Sequence, residues 1–324
     1  MKKTKYAIGV DLGGTKISAG LIDVNGIIVN KVKLPTEAYK GANHVINTII
    51  KSIELVCDGT KVHLNDVCGA AIGSPGPMDS KKGIVFFAPN LPGWKNIRLR
   101  DAVQKEFKFP VYIDNDANLA AYGEHWIGTG KGTGYFMFIT LGTGVGGGLI
   151  FGNEIYHGAA DSAAEIGHVS VFPDGRKCNC GNYGCIERYS SATGIIISAK
   201  EEIKNKKSKT VLSKINNFSS EDVYKSALKK DKVSIKILNE AGKYLGIVLS
   251  NTVNLLNLDM IAIGGNVAEA GHFIMDTIRD EIKKRSLYPS KKVKVVKAKI
   301  GVDAGIVGAA RLVFVRQGYG EKFH

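Results

Sequence analysis

Tyr6–Lys16 reads YAIGVDLGGTK, and Tyr135–Val145 reads YFMFITLGTGV. Aligned without gaps, Leu12-Gly13 falls on Leu141-Gly142. Each stretch is an apolar run that ends in a glycine turn and leads into a second apolar run. Apolar runs broken by Gly and Asn-Gly turns spell strands joined by hairpins, so residues 5–34 predict a β-meander. The recurrence of such a hairpin near the start of each half predicts an internally duplicated α/β architecture. Gly13 and Gly14 allow the backbone to approach a phosphate closely, while Thr15 and Lys16 add a hydroxyl and a cation. Gly142, Thr143 and Gly144 repeat the arrangement. One GGTK alone also fits a tight hairpin with no ligand; two copies fit a nucleotide with a glycine turn on each side of its phosphates.

Outward from these hairpins, Val45, Ile46, Ile49, Ile50, Ile53 and Val56 have helical spacing within residues 41–58. Residues 66–73 read as a buried strand running into the rigid turn Ser74-Pro75-Gly76-Pro77. Residues 84–95 predict a short strand and a proline-pinned loop carrying Asn90, whose amide suits hydroxyl ligands or an Asx turn. A helix is expected over 97–107 and a strand over 111–114. Asp114-Asn115-Asp116 then stands between that strand and a helix over 117–126. Asn or Asp there serves as an N-cap, but a second acid exceeds the capping need, and strand C-terminal ends are where open α/β sheets carry their sites. Residues 128–134, GTGKGTG, predict a flexible connection. Residues 189–238 are Lys-rich and mostly helical, with Ser219 or Ser220 as a cap, and 203–218 read as a surface insertion. A long helix is expected over 239–257, a strand over 259–265 ending in Gly264-Gly265, and a final helix from Asp303 with small residues on one face.

Length predicts two domains. With 44 Lys and Arg against 30 Asp and Glu the formal net charge is +14. The lysines are scattered, concentrated around 200–236 and 283–299 and interleaved with acids, and no nucleic-acid-binding motif accompanies them. A solvated surface is expected and a nucleic-acid partner is not. No apolar run approaches the ~20 residues of a membrane helix, and no signal-peptide core follows the basic start, so a cytoplasmic protein is expected. Cys57 and Cys68 read as small buried hydrophobes.

Asp161–Arg188, DSAAEIGHVSVFPDGRKCNCGNYGCIER, holds the other three cysteines. Cys178, Cys180 and Cys185 with His168 supply three thiolates and an imidazole, a closed tetrahedral set for structural Zn²⁺. Gly181 and Gly184 permit the tight turns this requires. A disulfide between Cys178 and Cys180 would close a strained ring. Glu165 and Glu187 flank the set, and with His168 they suit a polyhydroxylated ligand.

Glu165-Ile166-Gly167-His168, Cys178-Asn179-Cys180-Gly181 and Gly184-Cys185-Ile186-Glu187 together resemble the signature of the ROK family (repressors, open reading frames and sugar kinases). Within it the likeness is greatest to zinc-containing bacterial glucokinases, and it covers nearly the whole chain. The resemblance implies an α/β chain of two ribonuclease-H-like domains in the actin/hexokinase fold, with the nucleotide in a cleft between them. The small domain would comprise 1–120 and 303–324, completed by the last helix, and the large one 121–302. The resemblance further implies zinc on His168, Cys178, Cys180 and Cys185, and sugar contacts from Asn90, Asn115, Glu165, His168 and Glu187. Asp116 would be the catalytic base and Asp11 would lie near Mg²⁺. Phosphates would rest on Gly13, Gly14, Thr15, Lys16, Gly142, Thr143 and Gly144, and adenosine near Gly264 and Gly265. Asp114 and Asn266 depart from the family pattern and receive no role. The implied activity is ATP-dependent phosphorylation of the 6-hydroxyl of glucose, in a homodimer or higher homo-oligomer. N-acetylmannosamine, N-acetylglucosamine, fructose and allose are the alternative acceptors, and ADP or polyphosphate the alternative donors. The rival class, a sugar-sensing repressor, would need a DNA-binding domain for which the first strand, starting near residue 5, leaves no room.

Overall fold

The computed structural model describes residues 5–88, 90–205 and 209–319. The meander is β1 (Tyr6–Leu12), β2 (Lys16–Asp23) and β3 (Ile28–Pro35), followed by α1 (Ala42–Leu55) and β4 (Val67–Ser74). Three short strands come next, β5 (Met78–Asp79), β6 (Ile84–Phe87) and β7 (Lys95–Ile97), then α2 (Leu99–Gln104), β8 (Val111–Asn115) and α3 (Asp116–Trp126). The second half runs β9 (Tyr135–Leu141), β10 (Val145–Phe151), β11 (Glu154–Ile155), α4 (Glu187–Ser190), α5 (Ala192–Lys204), α6 (Ser220–Leu228) and α7 (Lys232–Leu256). It closes with β12 (Met260–Gly264), α8 (His272–Arg285), β13 (Lys294–Lys297) and α9 (Ala304–Arg316).

The duplication expected from the two hairpins is visible in sheet order. One sheet runs β3-β2-β1-β4-β8 and another β11-β10-β9-β12-β13, while β5-β6-β7 form a small third sheet. In the first, β1–β2 and β2–β3 are antiparallel and β1–β4 and β4–β8 parallel. In the second, β12 runs parallel to both β9 and β13. The chain divides into two compact units. One comprises the chain through Gly134, Gly148–Ala163 and the segment from Lys299; the other comprises Tyr135–Gly147 and Ala164–Ala298.

In the first unit, alternation along β1 sends Ile8, Val10 and Leu12 into a core shared with Val45, Ile49 and Ile53 of α1. Gly9 points the other way, and a Cβ built there would lie 1.8 Å from the carbonyl oxygen of Ile306 in α9. The small-residue face expected of the last helix also lets its backbone meet α3: a Cβ on Gly308 would stand 1.7 Å from the Leu119 carbonyl oxygen, and one on Gly123 2.4 Å from that of Ala304. Glycine is required there for space.

Several elements differ from expectation. The helix expected over 97–107 is α2 alone, because β7 claims its start and the Gln104 side chain ends it by binding the Phe107 and Phe109 carbonyls and the Val111 amide. Residues 128–134 are not an open linker. The Gly128 and Gly130 amides donate to the Glu124 carbonyl, and His125 Nε2 lies 2.8 Å from the Thr133 carbonyl. The fully buried Glu124 carboxylate accepts from the amide and hydroxyl of Thr129 and from the Ile300 amide. Cys57 and Cys68 are half-buried instead of enclosed, and Cys68 Sγ donates to the Tyr6 carbonyl. Ser219 caps α6, its hydroxyl accepting from the Asp222 amide. Of the expected surface insertion, residues 206–208 lie outside the described residues. Among the described residues no helix is long and apolar enough to cross a membrane.

Candidate active site and metal centre

In the first unit the acidic residues meet at the C-terminal ends of parallel strands. Register places Asp11 of β1 opposite Gly73 of β4, and Gly73 opposite Asp114 of β8. A Cβ on Gly73 would reach the Asp116 Cα at 3.4 Å, so glycine lets the start of α3 settle against β4. Burial raises the Asp11 carboxyl to about 6, with the charge of Asp116 adding to it. Burial also raises Asp116, although its Oδ1 accepts the Ala117 amide at 2.8 Å. Two partly buried carboxylates close enough to feel each other's charge resist ionising together.

Asn115 is the N-cap of α3, as the strand-to-helix position allowed: its Oδ1 accepts from the Ala117 and Asn118 amides at 2.9 and 3.2 Å. The cap occupies the oxygen and leaves the Nδ2 hydrogens to donate. Asn90 is exposed and sits over the first glycine turn, where a Cβ on Gly14 would come within 3.0 Å of its Cβ. In that turn the Gly13 amide donates to the Lys16 carbonyl and the Thr36 hydroxyl to the Gly13 carbonyl. Among the described residues nothing accepts the Gly14 and Thr15 amides, so both can turn to an anion. Thr15 and Lys16 are exposed beside them.

In the second unit the Gly142 amide donates to the Gly144 carbonyl, which again leaves the Thr143 and Gly144 amides without an acceptor among the described residues. Gly264 pairs with Thr140 across the parallel β12–β9 ladder. Gly265, at φ 87°, lies against the end of β9, where a Cβ would meet the Leu141 carbonyl oxygen at 2.4 Å. The glycine pair thus adjoins the second turn. Glu187, read as a sugar contact, is also tied to this turn. Its Oε2 accepts the Val145 amide at 3.0 Å, and a Cβ on Gly144 would stand 2.4 Å from that oxygen.

The thiols and imidazole of the expected metal set converge in this second unit. The ligand atoms of His168, Cys178, Cys180 and Cys185 all lie within 4.8 Å of one another. Cys180 and Cys185 sulfurs are 3.7 Å apart, and Cys178 Sγ is 3.8 Å from His168 Nδ1. A tetrahedral ion with metal–sulfur bonds of about 2.3 Å spaces its ligands by about 3.8 Å, so the donor set fits zinc. Gly181 and Gly184 take φ of 94° and 69°, as the convergence of three sulfurs requires. Glu165 precedes the short 3₁₀ turn Ile166–His168 and receives the His168 amide on its carbonyl. Arg176 secures the loop from outside, donating to the Arg188 carbonyl and pairing with Glu201 while its guanidinium lies over Tyr189. No sequence motif marks that arginine.

Asp114, given no role from the sequence, is 3% exposed and fully engaged. Its Oδ2 lies 2.7 Å from His157 Nε2, and its Oδ1 accepts from the Asn115 amide and Asn118 Nδ2. The hydrogen bond to Asp114, opposed by burial, raises the His157 imidazole above its ordinary value.

Comparison with known proteins agrees with this architecture. The ROK family model matches residues 7–316. A glucokinase of Halalkalibacterium halodurans is 35% identical over 323 residues, covering 98% of each chain. A glucokinase of Thermotoga maritima is 35% identical over 323 residues, 98% of this chain and all of its own. The crystal structure of a ROK family glucokinase from Streptomyces griseus in complex with glucose and AMPPNP superposes with a TM-score of 0.79 at 33% identity, covering 95% of this chain and 98% of that one.

Proposed function

The chain belongs to the ROK family, in the actin/hexokinase-like α/β fold, and from that membership we propose that it is an ATP-dependent glucokinase acting on the sugar 6-hydroxyl. The observation that carries the proposal is Asp116: a desolvated carboxylate at the end of β8, with Asp11 as its charged neighbour and a glycine turn with two open amides following β1. A carboxylate raised by burial is a stronger base than one in water, so Asp116 accepts the hydroxyl proton as that oxygen attacks the γ-phosphate. The open amides of Gly14 and Thr15, with Lys16, bind phosphate oxygens, and those of Thr143 and Gly144 do the same. Adenosine lies near Gly264 and Gly265, of which Gly265 is exposed. The Asn115 Nδ2, Asn90, Glu165, His168 and Glu187 bind the remaining sugar hydroxyls, Glu187 with the carboxylate oxygen its turn does not use.

Magnesium arriving with ATP would neutralise charge on the transferring phosphoryl group, and Asp11 would be the carboxylate that holds it. Zinc on His168, Cys178, Cys180 and Cys185 would fill all four tetrahedral positions and supply shape, not chemistry, to the loop bearing Glu165 and Glu187. Family membership supports a cytoplasmic homodimer.

A coupled assay with MgATP and a panel of hexoses and N-acetylhexosamines tests the proposal. Glucose is expected to give the highest kcat/KM, and Asp116→Asn is expected to lower kcat by about 10²–10⁴-fold. A preference for N-acetylmannosamine would move the acceptor, and full turnover by Asp116→Asn would remove the base.

A further inference from the structure

We propose that His157 is a positioning residue for phosphoryl transfer, acting through Asp114 on the backbone that presents Asn115 and Asp116. This rests on the reading of Asp116 as the base.

Asp114 is buried, and each of its oxygens is used. Oδ1 accepts the Asn115 amide at 2.8 Å and the Asn118 Nδ2 at 3.1 Å, so the carboxylate grips the strand end and the first turn of α3 together. Asn118 depends on that grip, because its own buried Oδ1 has no partner. Asp116 lies between the two gripped residues. A carboxylate holds such a geometry only while it is fixed in orientation, and His157 Nε2, 2.7 Å from Oδ2, anchors the oxygen that the strand end and helix do not use.

His157 is held in turn. Its carbonyl accepts the Ala163 amide, and between those residues Asp161 takes the amide and hydroxyl of Ser80 on one carboxylate oxygen at 2.8 and 2.9 Å. The charged groups facing the imidazole are Asp114 of β8, Asp161 of this loop and Arg316 of α9. Two carboxylates against one guanidinium favour the imidazolium. The chain therefore places a braced cation against the back of the strand end whose front carries the proposed base.

The test uses the full-length, zinc-loaded protein with MgATP and glucose, in wild type, His157→Ala, His157→Gln and Asp116→Asn. Misplacing a catalytic group by about 1 Å costs about a hundredfold in rate, and a smaller shift about tenfold. His157→Ala is expected to lower kcat by a factor in that range with the KM for ATP within about twofold of wild type. His157→Gln, whose amide can still donate to Asp114, should recover most of the loss. Wild-type kcat in His157→Ala, with Asp116→Asn inactive, would overturn the positioning role and leave the base in place. Equal losses in the Ala and Gln variants, or a loss confined to KM, would also overturn it. Turnover by Asp116→Asn would instead fail the reading beneath it. Should His157→Ala not fold, the Gln variant decides alone: kcat near wild type with an unchanged KM is expected, and a tenfold loss refutes.

Discussion

Asp11 should weaken the protein it serves. Its carboxyl is held near 6 against an ordinary 3.8, chiefly by burial and then by the charge of Asp116. At about 1.4 kcal/mol for each tenfold, that rise amounts to about 3 kcal/mol. The folded state binds this proton more tightly than the unfolded chain does. Below pH 3.8 the group is therefore protonated in both states and costs nothing. As pH rises through 6 the stabilisation from the retained proton is lost, and above it the full cost of a buried charge remains. Asp11→Asn keeps the shape without the charge. In magnesium-free buffer at pH 7.5 the variant should be more stable by up to about 3 kcal/mol, and near pH 4 the gain should shrink towards zero. With a urea slope of about 3 kcal/mol/M, the midpoint would rise by about 1 M. The chain's two tryptophans, Trp94 and Trp126, lie in the same compact unit as Asp11, so intrinsic fluorescence reports the relevant transition. The same variant should lose phosphoryl transfer, trading stability against function. A variant no more stable than wild type at pH 7.5, or one whose gain persists unchanged at pH 4, would refute the account.

Other outcomes follow from the same geometry. Cys180 is exposed while Cys178 and Cys185 are buried, so Cys180→Ser leaves no core cavity and should act through the metal alone. Bound zinc, read by elemental analysis, should fall below one per chain and glucose affinity should fall with it; normal glucose binding in the metal-free variant would break the link. Burial and the neighbouring thiols push the Cys185 thiol up to about 12, so zinc uptake by metal-stripped protein at pH 7 should release protons, detectable by calorimetry in buffers of different ionisation enthalpy. Gly308→Ala should destabilise by about 2 kcal/mol, because overpacking against the Leu119 carbonyl outweighs a helix-propensity gain of about 1 kcal/mol. An unchanged thermal midpoint would mean that α3 yields freely.

What the chain declares locally it also forms. The meander over 5–34, α1 under its 3.6-residue spacing and the strand ending at Gly264 all depend on pattern within a dozen residues. The Cys3His set converges because two glycines at positive φ lie inside the motif itself. The departures arise where distant parts decide. His157 is 43 positions from Asp114, and nothing near either residue announces the other. Gln104 ends α2 by reaching three backbone groups beyond it, a choice no helix-propensity sum contains. Residues 128–134 look like spacer because glycine is counted as freedom, yet Glu124 and His125, from the preceding helix, take up their backbone groups. Glu187 carries a ligand-binding motif and also braces a backbone turn 42 positions earlier, and only the first of these is written beside it.

The last helix has a bearing on how the protein is made. α9 packs on β1, β4 and α3, all from the first half of the chain, with backbone meeting backbone at Gly9 and Gly308. A ribosome delivers those strands well before their covering helix. Until then the apolar faces of β1 and β4 wait, open to holding chaperones and to wrong partners. Tyr135–Gly147 and Ala164–Ala298 are complete before α9 emerges, so the later-encoded unit can mature first on the nascent chain while the earlier one stays unfinished.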